Sequence, residues 1–322
     1  MKKINLYEEN ESRYFYESRY LKWCMEDWPQ EKKERIIELI EMLKFKESGE
    51  ILDFWCWNGI FSNLLKSRLP NWTVYGCDIS ETAIKNASQR FPECIFFLAN
   101  DQKYVGKKFD FLFTHHVLEH VPDIEKTAEE IDTRLQLKSA MLHILPCGNS
   151  GSYEYNICKL RPDGIDAKAG NRFFWEEKGH IRRLKSNECS NLFQNYWFKL
   201  KKDFYANQNY GAINWISWTN PLFIIKMFNP FKGEKIKEKI LLTYNLVKII
   251  FIFCLRAFAL SHRKFLEKGR QKKIYKYLFY INYIGYIFSA PFDNYFQSKA
   301  SKEWHNHKWE KEWSEMYLYF ER

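Results

Sequence analysis

The sequence predicts an α/β protein with a doubly wound, mostly parallel sheet and an α-helical C-terminal extension. Short apolar segments recur near residues 51, 73, 95, 110 and 141, with helical patterns between most of them. Such alternation is typical of a parallel sheet covered by helices on both faces. The chain has 322 residues, of which 46% are hydrophobic, and it contains only 13 glycines and 9 prolines. This composition supports a sizeable core and excludes collagen-like and low-complexity proteins.

The elements follow in chain order from apolar periodicity and from capping residues. A helix over 31–44 is expected within an N-terminal segment that looks helical, and Ser80 and Pro122 are expected to mark the starts of two later helices. The predicted strands are 51–54, 72–77, 94–99, 109–114 and 140–145, followed by a closing antiparallel pair over 196–205 and 210–218. The predicted helices of the sheet region are 60–67, 81–90, 123–135 and 186–195.

Three domains are predicted from these elements. They are an N-terminal helical cap (1–48), an α/β domain (49–218) that includes a long insertion on its substrate side (147–185), and a basic and apolar helical extension (219–322). The tail from Lys302 onward is read as polar, and no acid or cysteine is spaced to complete a metal site with its His305 and His307.

The positive charge of the chain is concentrated in one segment. The formal net charge is +10. Residues 226–276 contain 14 lysines and arginines and three glutamates, so this segment carries +11 and the rest of the chain is nearly neutral. A nucleic-acid-binding protein more often carries its charge across the main face of its fold, so nucleic acid is not the expected partner.

Two strongly apolar runs lie in the same basic segment, over 240–260 and 277–292. The first is interrupted by Lys248 and Arg256, and the second is shorter than a simple transmembrane helix requires. Apolar, aromatic and basic residues together suit a helix that lies on an anionic membrane surface, and residues 226–292 are expected to make that contact. A helical subdomain packed on the core, an oligomer interface and a true membrane span are the alternatives.

The cysteines and the N-terminus indicate where the protein works. None of the eight cysteines forms a CxxC pair, so neither a zinc site nor a thioredoxin-like site is expected. No apolar segment of a secretory signal follows Met1, so we expect reduced cysteines and a cytoplasmic protein at the inner face of the cytoplasmic membrane.

The loop after the first predicted strand reads DFWCWNG over 53–59, and the segment after the fourth strand reads HHVLEHVPD over 115–123. With YGCDIS over 75–80, these motifs resemble those of the class I S-adenosylmethionine (SAM) dependent methyltransferases. The segment 170–188, GNRFFWEEKGHIRRLKSNE, is similar to the substrate-side segment of methyltransferases associated with surface glycans. The resemblance covers about 50–218 and implies a seven-stranded Rossmann-like methyltransferase sheet.

The resemblance implies the residues that would bind the cofactor, SAM. Asp78 at the end of the second strand would bind the ribose hydroxyls, and Asp101, or its neighbour Asn100, would meet the adenine. The other implied cofactor-binding residues are Asp53, Trp55, Trp57, Gly59 and His115. His115 and its neighbour His116 are more readily explained as packing or cofactor-wall residues than as catalytic groups.

Trp55 and Trp57 depart from the family pattern, which has glycines at these two positions because the cofactor approaches the backbone closely there. In one interpretation the indoles turn into the core or stack on the ligand, and SAM still binds. In the other they fill the pocket, and SAM binding is lost.

The predicted catalytic residues are His120, Glu119 and His180. His120 is a suitable base for methyl transfer to an oxygen because the ordinary pKa of histidine lies near neutral pH; it could instead only hydrogen-bond the backbone at a helix entry. The predicted substrate-binding residues are Tyr153, Glu154, Arg172, Arg182 and Arg183, of which the arginines could hold a phosphate or a carboxylate. No metal is expected.

Two functions therefore remain open. In the first, the protein is a SAM-dependent methyltransferase that acts on a sugar or phosphate of a bacterial surface glycan or a lipid-linked intermediate. In the second, the methyltransferase fold has lost ordinary SAM binding and serves as a repurposed enzyme or as a non-catalytic partner of glycan-assembly enzymes.

Overall fold

The computed structural model describes residues 17–18, 28–176, 179–269 and 273–322. Part of the predicted N-terminal cap, including Cys24, lies outside these residues. The strands are Gly49–Phe54 (β1), Trp72–Asp78 (β2), Ile95–Leu98 (β3), Phe109–His115 (β4), Leu135–Pro146 (β5), Ile165–Asp166 (β6), Arg172–Phe173 (β7), Lys199–Ala206 (β8) and Glu315–Glu321 (β9). The helices are Gln30–Met42 (α1), Ile60–Arg68 (α2), Glu81–Arg90 (α3), Ile124–Thr133 (α4), Tyr153–Cys158 (α5), Ser186–Gln194 (α6), Asn209–Ile216 (α7), Pro221–Met227 (α8), Ile236–Gly269 (α9) and Lys273–His307 (α10).

Seven strands form one sheet in the order β3-β2-β1-β4-β5-β9-β8. The pairs β3–β2, β2–β1, β1–β4 and β4–β5 are parallel. The order reverses beside β1, and ligands of doubly wound sheets bind at such a switch point, outside the carboxyl ends of the strands. The predicted fold class, a doubly wound, mostly parallel sheet with an α-helical C-terminal extension, is confirmed.

Side chains cap the starts of two helices in the sheet region, α3 at the expected Ser80 and α4 at Asp123, the residue after the expected Pro122. Ser80 precedes α3, and its hydroxyl accepts a hydrogen bond from the Ala83 N–H at 3.1 Å. Asp123 follows Pro122, and its carboxylate accepts a hydrogen bond from the Lys126 N–H at 3.0 Å. Each cap satisfies a backbone donor that a helix start leaves unpaired.

The seventh strand is not the one predicted. Residues 210–218 were expected to form a strand, but 209–216 form the helix α7, in which Ala212, Ile213 and Ile216 are buried on one side. The strand is instead β9, near the C-terminus, within the tail that was read as polar. Its apolar run Met316–Phe320 is almost entirely buried. An uninterrupted apolar run suits a strand covered on both faces, which is why an alternating pattern failed to reveal it.

The chain separates into two compact units. The first comprises Met1–Pro146, Lys178–Asp203 and Met316–Arg322, and it contains most of the sheet. The second comprises Cys147–Glu177 and Phe204–Glu315. Most of the segment predicted to be an insertion of the α/β domain therefore groups with the C-terminal helices in this division.

The second unit is built around the long helices α9 and α10. Its apolar core joins α7, α8 and α9 through Ile213, Ile224, Leu242 and Ile249, all of them almost completely buried. Among the described residues, one segment, Ile236–Arg263, has the length and the hydropathy of a membrane span, and the mean hydropathy of its most apolar stretch is 1.9. Its most apolar stretch is 22% buried within the protein.

Candidate active site

The loop after β1 has the backbone conformation that glycines usually supply. The φ angles of Trp55, Trp57 and Gly59 are 60°, 52° and 75°, all in the left-handed region. This region costs a residue with a Cβ roughly 1–2 kcal/mol. The backbone therefore follows a path that glycine adopts at lower cost, although two of these three residues are tryptophans.

Each of the two indoles of this loop packs against a specific aromatic ring. The Trp55 ring stacks on Phe54, with ring centroids 6.0 Å apart and planes at 23°. The Trp57 ring meets the edge of Trp28, with centroids 6.3 Å apart and planes at 76°. Both tryptophans are half-buried. They can therefore form part of the wall of a ligand site.

Asp78 lies at the carboxyl end of β2 and is 3% exposed. Its Oδ2 accepts a hydrogen bond from the Trp57 N–H at 3.0 Å, and its Oδ1 accepts one from the Ser80 N–H at 2.9 Å. Burial raises the pKa of this carboxyl to about 6, against these hydrogen bonds, which lower it. Each carboxylate oxygen has a second lone pair, so Asp78 can still accept hydrogen bonds from ribose hydroxyls.

Asp53 and Asp101 each stabilise local structure at the carboxyl end of the sheet. The buried Asp53 accepts a hydrogen bond from the Ser62 hydroxyl at 2.6 Å, which ties β1 to α2. Burial raises the pKa of Asp53 to about 7. Asp101 caps a short 3-10 turn by accepting a hydrogen bond from the Lys103 N–H at 3.0 Å.

Aromatic rings surround the end of β4. The His115 ring lies 4.2 Å from Phe61 and 4.5 Å from Trp28, measured between centroids. Burial holds the pKa of His115 well below its ordinary value, so this imidazole is neutral. His115 therefore packs among aromatic rings at the carboxyl end of β4.

Glu119 is the charged centre of the site and is completely buried. Its Oε1 lies 2.9 Å from Nδ1 of His116. Burial alone would raise the pKa of Glu119, but the nearby His116, His120 and His180 lower it to about 2. A buried carboxylate that stays ionised stabilises positive charge on the imidazoles around it.

His116 connects Glu119 to a lysine of α1. Its φ is 55°, in the left-handed region, and its Nε2 lies 3.0 Å from Nζ of Lys32. The Lys32 ammonium can only donate, so Nε2 accepts and Nδ1 carries the hydrogen that faces Glu119. The Lys32 ammonium also lies 4.6 Å from the centre of the Trp28 ring.

His120 and His180 complete the cluster. His120 Nδ1 lies 2.9 Å from the Gly179 carbonyl oxygen, and the His120 and His180 rings meet edge to face with centroids 4.5 Å apart. A carbonyl can only accept, so Nδ1 carries the hydrogen and Nε2 is the nitrogen able to take up a proton. The Ile181 N–H donates to the Glu119 carbonyl at 3.0 Å and fixes the segment that carries His180.

The same cluster has the composition of a divalent metal site. One potential ligand atom from each of His116, Glu119 and His180 lies within 4.8 Å of the others. The Lys32 ammonium beside His116 disfavours a second cation on that ring.

The predicted substrate-binding residues fall into two groups. Arg182 belongs to the first unit, and its guanidinium donates to the carbonyls of Leu118, Val121 and Pro122, which holds the loop after β4. The nearby Arg183 is 4% exposed.

Tyr153, Glu154 and Arg172 belong to the second unit. The Tyr153 hydroxyl donates to Asn245 Oδ1 at 2.8 Å, and the Trp215 Nε1–H donates to the buried Glu154 at 2.6 Å. Arg172 lies half-buried in β7.

Sequence reasoning missed Lys32 and Trp28. Both precede the sheet in the chain, and no motif links them to the histidines. The spacing of His116 and Glu119, three residues apart, was a usable signal, because the two side chains are in contact within one turn.

The known proteins to which this chain is similar are methyltransferases. The family model described as a methyltransferase domain matches residues 29–201. Trans-aconitate 2-methyltransferases from Variovorax paradoxus and Afipia carboxidovorans are 29% and 30% identical to this chain over 91 and 87 residues, which are 28% and 27% of this chain. These matches cover 35% and 34% of the two relatives, so the chain spans about a third of their length.

Among solved structures, a TehB-like SAM-dependent methyltransferase from Corynebacterium glutamicum is 14% identical, with a TM-score of 0.39 over 61% of this chain and 88% of that one. A coclaurine N-methyltransferase bound to N-methylheliamine and S-adenosylhomocysteine is 12% identical, with a TM-score of 0.44 over 92% of this chain and 74% of that one.

Proposed function

The chain belongs to the methyltransferase-domain family, and we propose that it transfers a methyl group from SAM to a hydroxyl oxygen of a sugar in a surface or lipid-linked glycan. The observation that carries the proposal is the orientation of His120 beside the ionised Glu119. This arrangement is suited to removing a proton from a weakly acidic acceptor.

The residues at the carboxyl ends of β1 and β2 are suited to the cofactor. The left-handed backbone of Trp55, Trp57 and Gly59 keeps the loop path that SAM requires, and Asp78 retains lone pairs for the ribose. The indoles of Trp55 and Trp57 would line the site. When bound, SAM supplies an electrophilic methyl group.

The histidine cluster would accept the proton of the acceptor hydroxyl and stabilise the resulting charge. The Gly179 carbonyl fixes the Nδ1–H tautomer of His120, so that Nε2 accepts the proton of the acceptor hydroxyl as the oxygen bonds to the methyl group. The negative charge of Glu119 stabilises the imidazolium that results, and His180 packs against its ring. The new oxygen–methyl bond would form as the sulfur–methyl bond of the cofactor breaks, S-adenosylhomocysteine would be the leaving group, and the proton would pass from His120 to solvent.

A base at the site favours a hydroxyl over a carboxylate as the acceptor. A carboxylate acceptor, as the name of the trans-aconitate relatives implies for them, is already ionised and needs no base. A sugar hydroxyl does need one at neutral pH. The similarity of 170–188 to substrate-side segments of glycan-associated methyltransferases supports the same class of acceptor.

A methyl-transfer assay tests the proposal. We expect label from SAM with a tritiated methyl group to enter a bacterial lipid-linked oligosaccharide fraction, and we expect the transfer to continue in EDTA because Lys32 disfavours a metal on His116. Trans-aconitate serves as the carboxylate comparison. Label in trans-aconitate alone would contradict the hydroxyl acceptor. Loss of transfer in EDTA that manganese or zinc restores would show that the cluster holds a metal.

A further inference from the structure

The outer surface of α9 carries an apolar stripe. Ile240, Tyr244, Val247, Phe251 and Phe258 are 53–64% exposed. The first four follow one another at intervals of four, three and four residues, and Phe258 is one heptad after Phe251. They therefore lie along one face of the helix.

A second stripe follows α10. Tyr277, Ile281, Ile284 and Phe288 are exposed by 67%, 76%, 71% and 74%, at intervals of four, three and four residues. Tyr280, Tyr283 and Ile287 beside them are also at least half exposed. Monomeric soluble proteins rarely present so many large apolar side chains together, and such a surface marks an interaction site.

Apart from Phe258, whose ring packs against Gly285 of α10, the two stripes are separate from the surfaces that hold the helices together. Asn282 donates from its side-chain amide to the Phe258 carbonyl at 2.7 Å, and the Ser289 hydroxyl donates to the Leu255 carbonyl at 2.7 Å. A Cβ on Gly285 would collide with the Phe258 ring, so the helices approach closely there. The inner contacts are thus satisfied, and the outer stripes are available to another surface.

Basic residues flank the two stripes in the sequence. Lysines 232, 235, 237 and 239 come just before or at the start of α9. The sequence from α9 into α10 adds a second group of basic residues at Arg263, Lys264, Lys268, Arg270, Lys272, Lys273 and Lys276. Glu267 is the one acid between Arg263 and Lys276.

We propose that α9 and α10 form a monotopic membrane anchor, in which both apolar stripes enter the boundary between head groups and acyl chains of an anionic leaflet. The lysines and arginines contact the anionic head groups, and the tyrosines of α10 occupy the polar–apolar boundary that this side chain prefers. The proposal goes beyond the methyl-transfer function and does not depend on it.

The inner face of α9 favours this position over a membrane span. Leu242, Ile249 and Ile252 are buried in the core that α9 shares with α7 and α8. Arg256 is completely buried and pairs with Asp293 at 2.8 Å. Lipid on all sides of α9 would require these contacts to separate, whereas a helix lying in the plane of the surface keeps them.

Charge also disfavours a second copy of the chain as the partner of the two apolar stripes. The segment 226–276 carries +11, so two copies placed stripe to stripe would bring like charges together. An anionic lipid surface instead neutralises this charge.

Vesicle flotation tests the anchor. We expect the full chain to float with phosphatidylglycerol–phosphatidylcholine vesicles, to float weakly with phosphatidylcholine alone, and to detach as salt rises. Phe251→Glu with Phe288→Glu should lower the partition coefficient at least roughly tenfold, since both side chains are exposed and both would enter the acyl region. Lys273→Glu with Lys276→Glu should lower it mainly for the anionic vesicles.

Leu137→Glu is the matched control, because Leu137 is an 85% exposed apolar residue of β5 in the other unit. This variant should float as the parent protein does. Sedimentation without lipid measures the association state of each variant. A folded chain that floats with neither kind of vesicle would overturn the proposal. So would a dimer that the stripe variants dissociate in the absence of lipid.

Cys254 offers a second readout. It lies on the α9 stripe, three residues after Phe251, and is the exposed cysteine among the described ones. An environment-sensitive fluorophore on Cys254, with Cys24→Ser to avoid a second labelled position, should shift to the blue on anionic vesicles and be quenched by brominated lipid. An unchanged spectrum from vesicle-bound protein would show that the stripe stays in water.

Discussion

The His120→Gln variant is expected to bind S-adenosylhomocysteine like the parent protein and to lose roughly 10²–10⁴-fold in kcat. Glutamine can still donate a hydrogen bond to the Gly179 carbonyl, as His120 does at 2.9 Å. It cannot take up the proton of the acceptor.

His305→Gln is the matched control, because His305 is an exposed histidine near the end of α10. Its kcat should be unchanged. A loss of less than about threefold for His120→Gln would remove His120 as the base, since general bases contribute far more. Equal losses in cofactor affinity and in kcat would mean that the substitution disturbs the site as a whole.

The Arg256→Met variant is expected to lose about 3–5 kcal/mol in the free energy of unfolding, the cost of breaking a buried ion pair on one side. Arg256 is completely buried, contacts Asp293, and donates to the side chains of Asn214 and Ser217. Its removal leaves Asp293, which is 3% exposed, with one arginine instead of two. Urea unfolding followed by circular dichroism measures the change.

Arg263→Met provides the comparison within the same cluster. Arg263 also contacts Asp293, but its side chain is 31% exposed, so the loss should be about 1 kcal/mol or less. Combining Arg256→Met with Asp293→Leu should recover much of the stability, because no buried charge then lacks its partner. Equal losses for the two single variants would contradict the assigned role of burial.

Most of the sheet could be predicted from sequence because its signals are local. Ser80 caps a helix three residues from its hydrogen-bond donor, and Asp78 ends a strand that reads as an apolar run. The last strand could not be predicted, because β9 completes the sheet through pairing with residues far away in the chain. Its burial depends on neighbours that no sequence window contains.

The candidate site was predictable in part, because only some of its residues lie close together in the chain. The motif over 115–123 revealed Glu119 and His120 together, within one turn of chain. Lys32 reaches His116 across 84 residues, and sequence periodicity gives no information about such a contact. The tryptophans of the loop after β1 were recognised as a departure from glycine, but sequence alone did not show that Trp55 and Trp57 keep the left-handed backbone.

Calorimetric titration with S-adenosylhomocysteine tests the central claim, that this loop still forms a cofactor site. We expect the parent protein to bind with a Kd in the micromolar range, about −8 kcal/mol. Trp55→Gly with Trp57→Gly should bind no more tightly, because the indoles line the site. The contradicting result is a folded parent protein that gives no binding heat, with binding gained only in the double glycine variant, since the indoles would then fill the cofactor pocket.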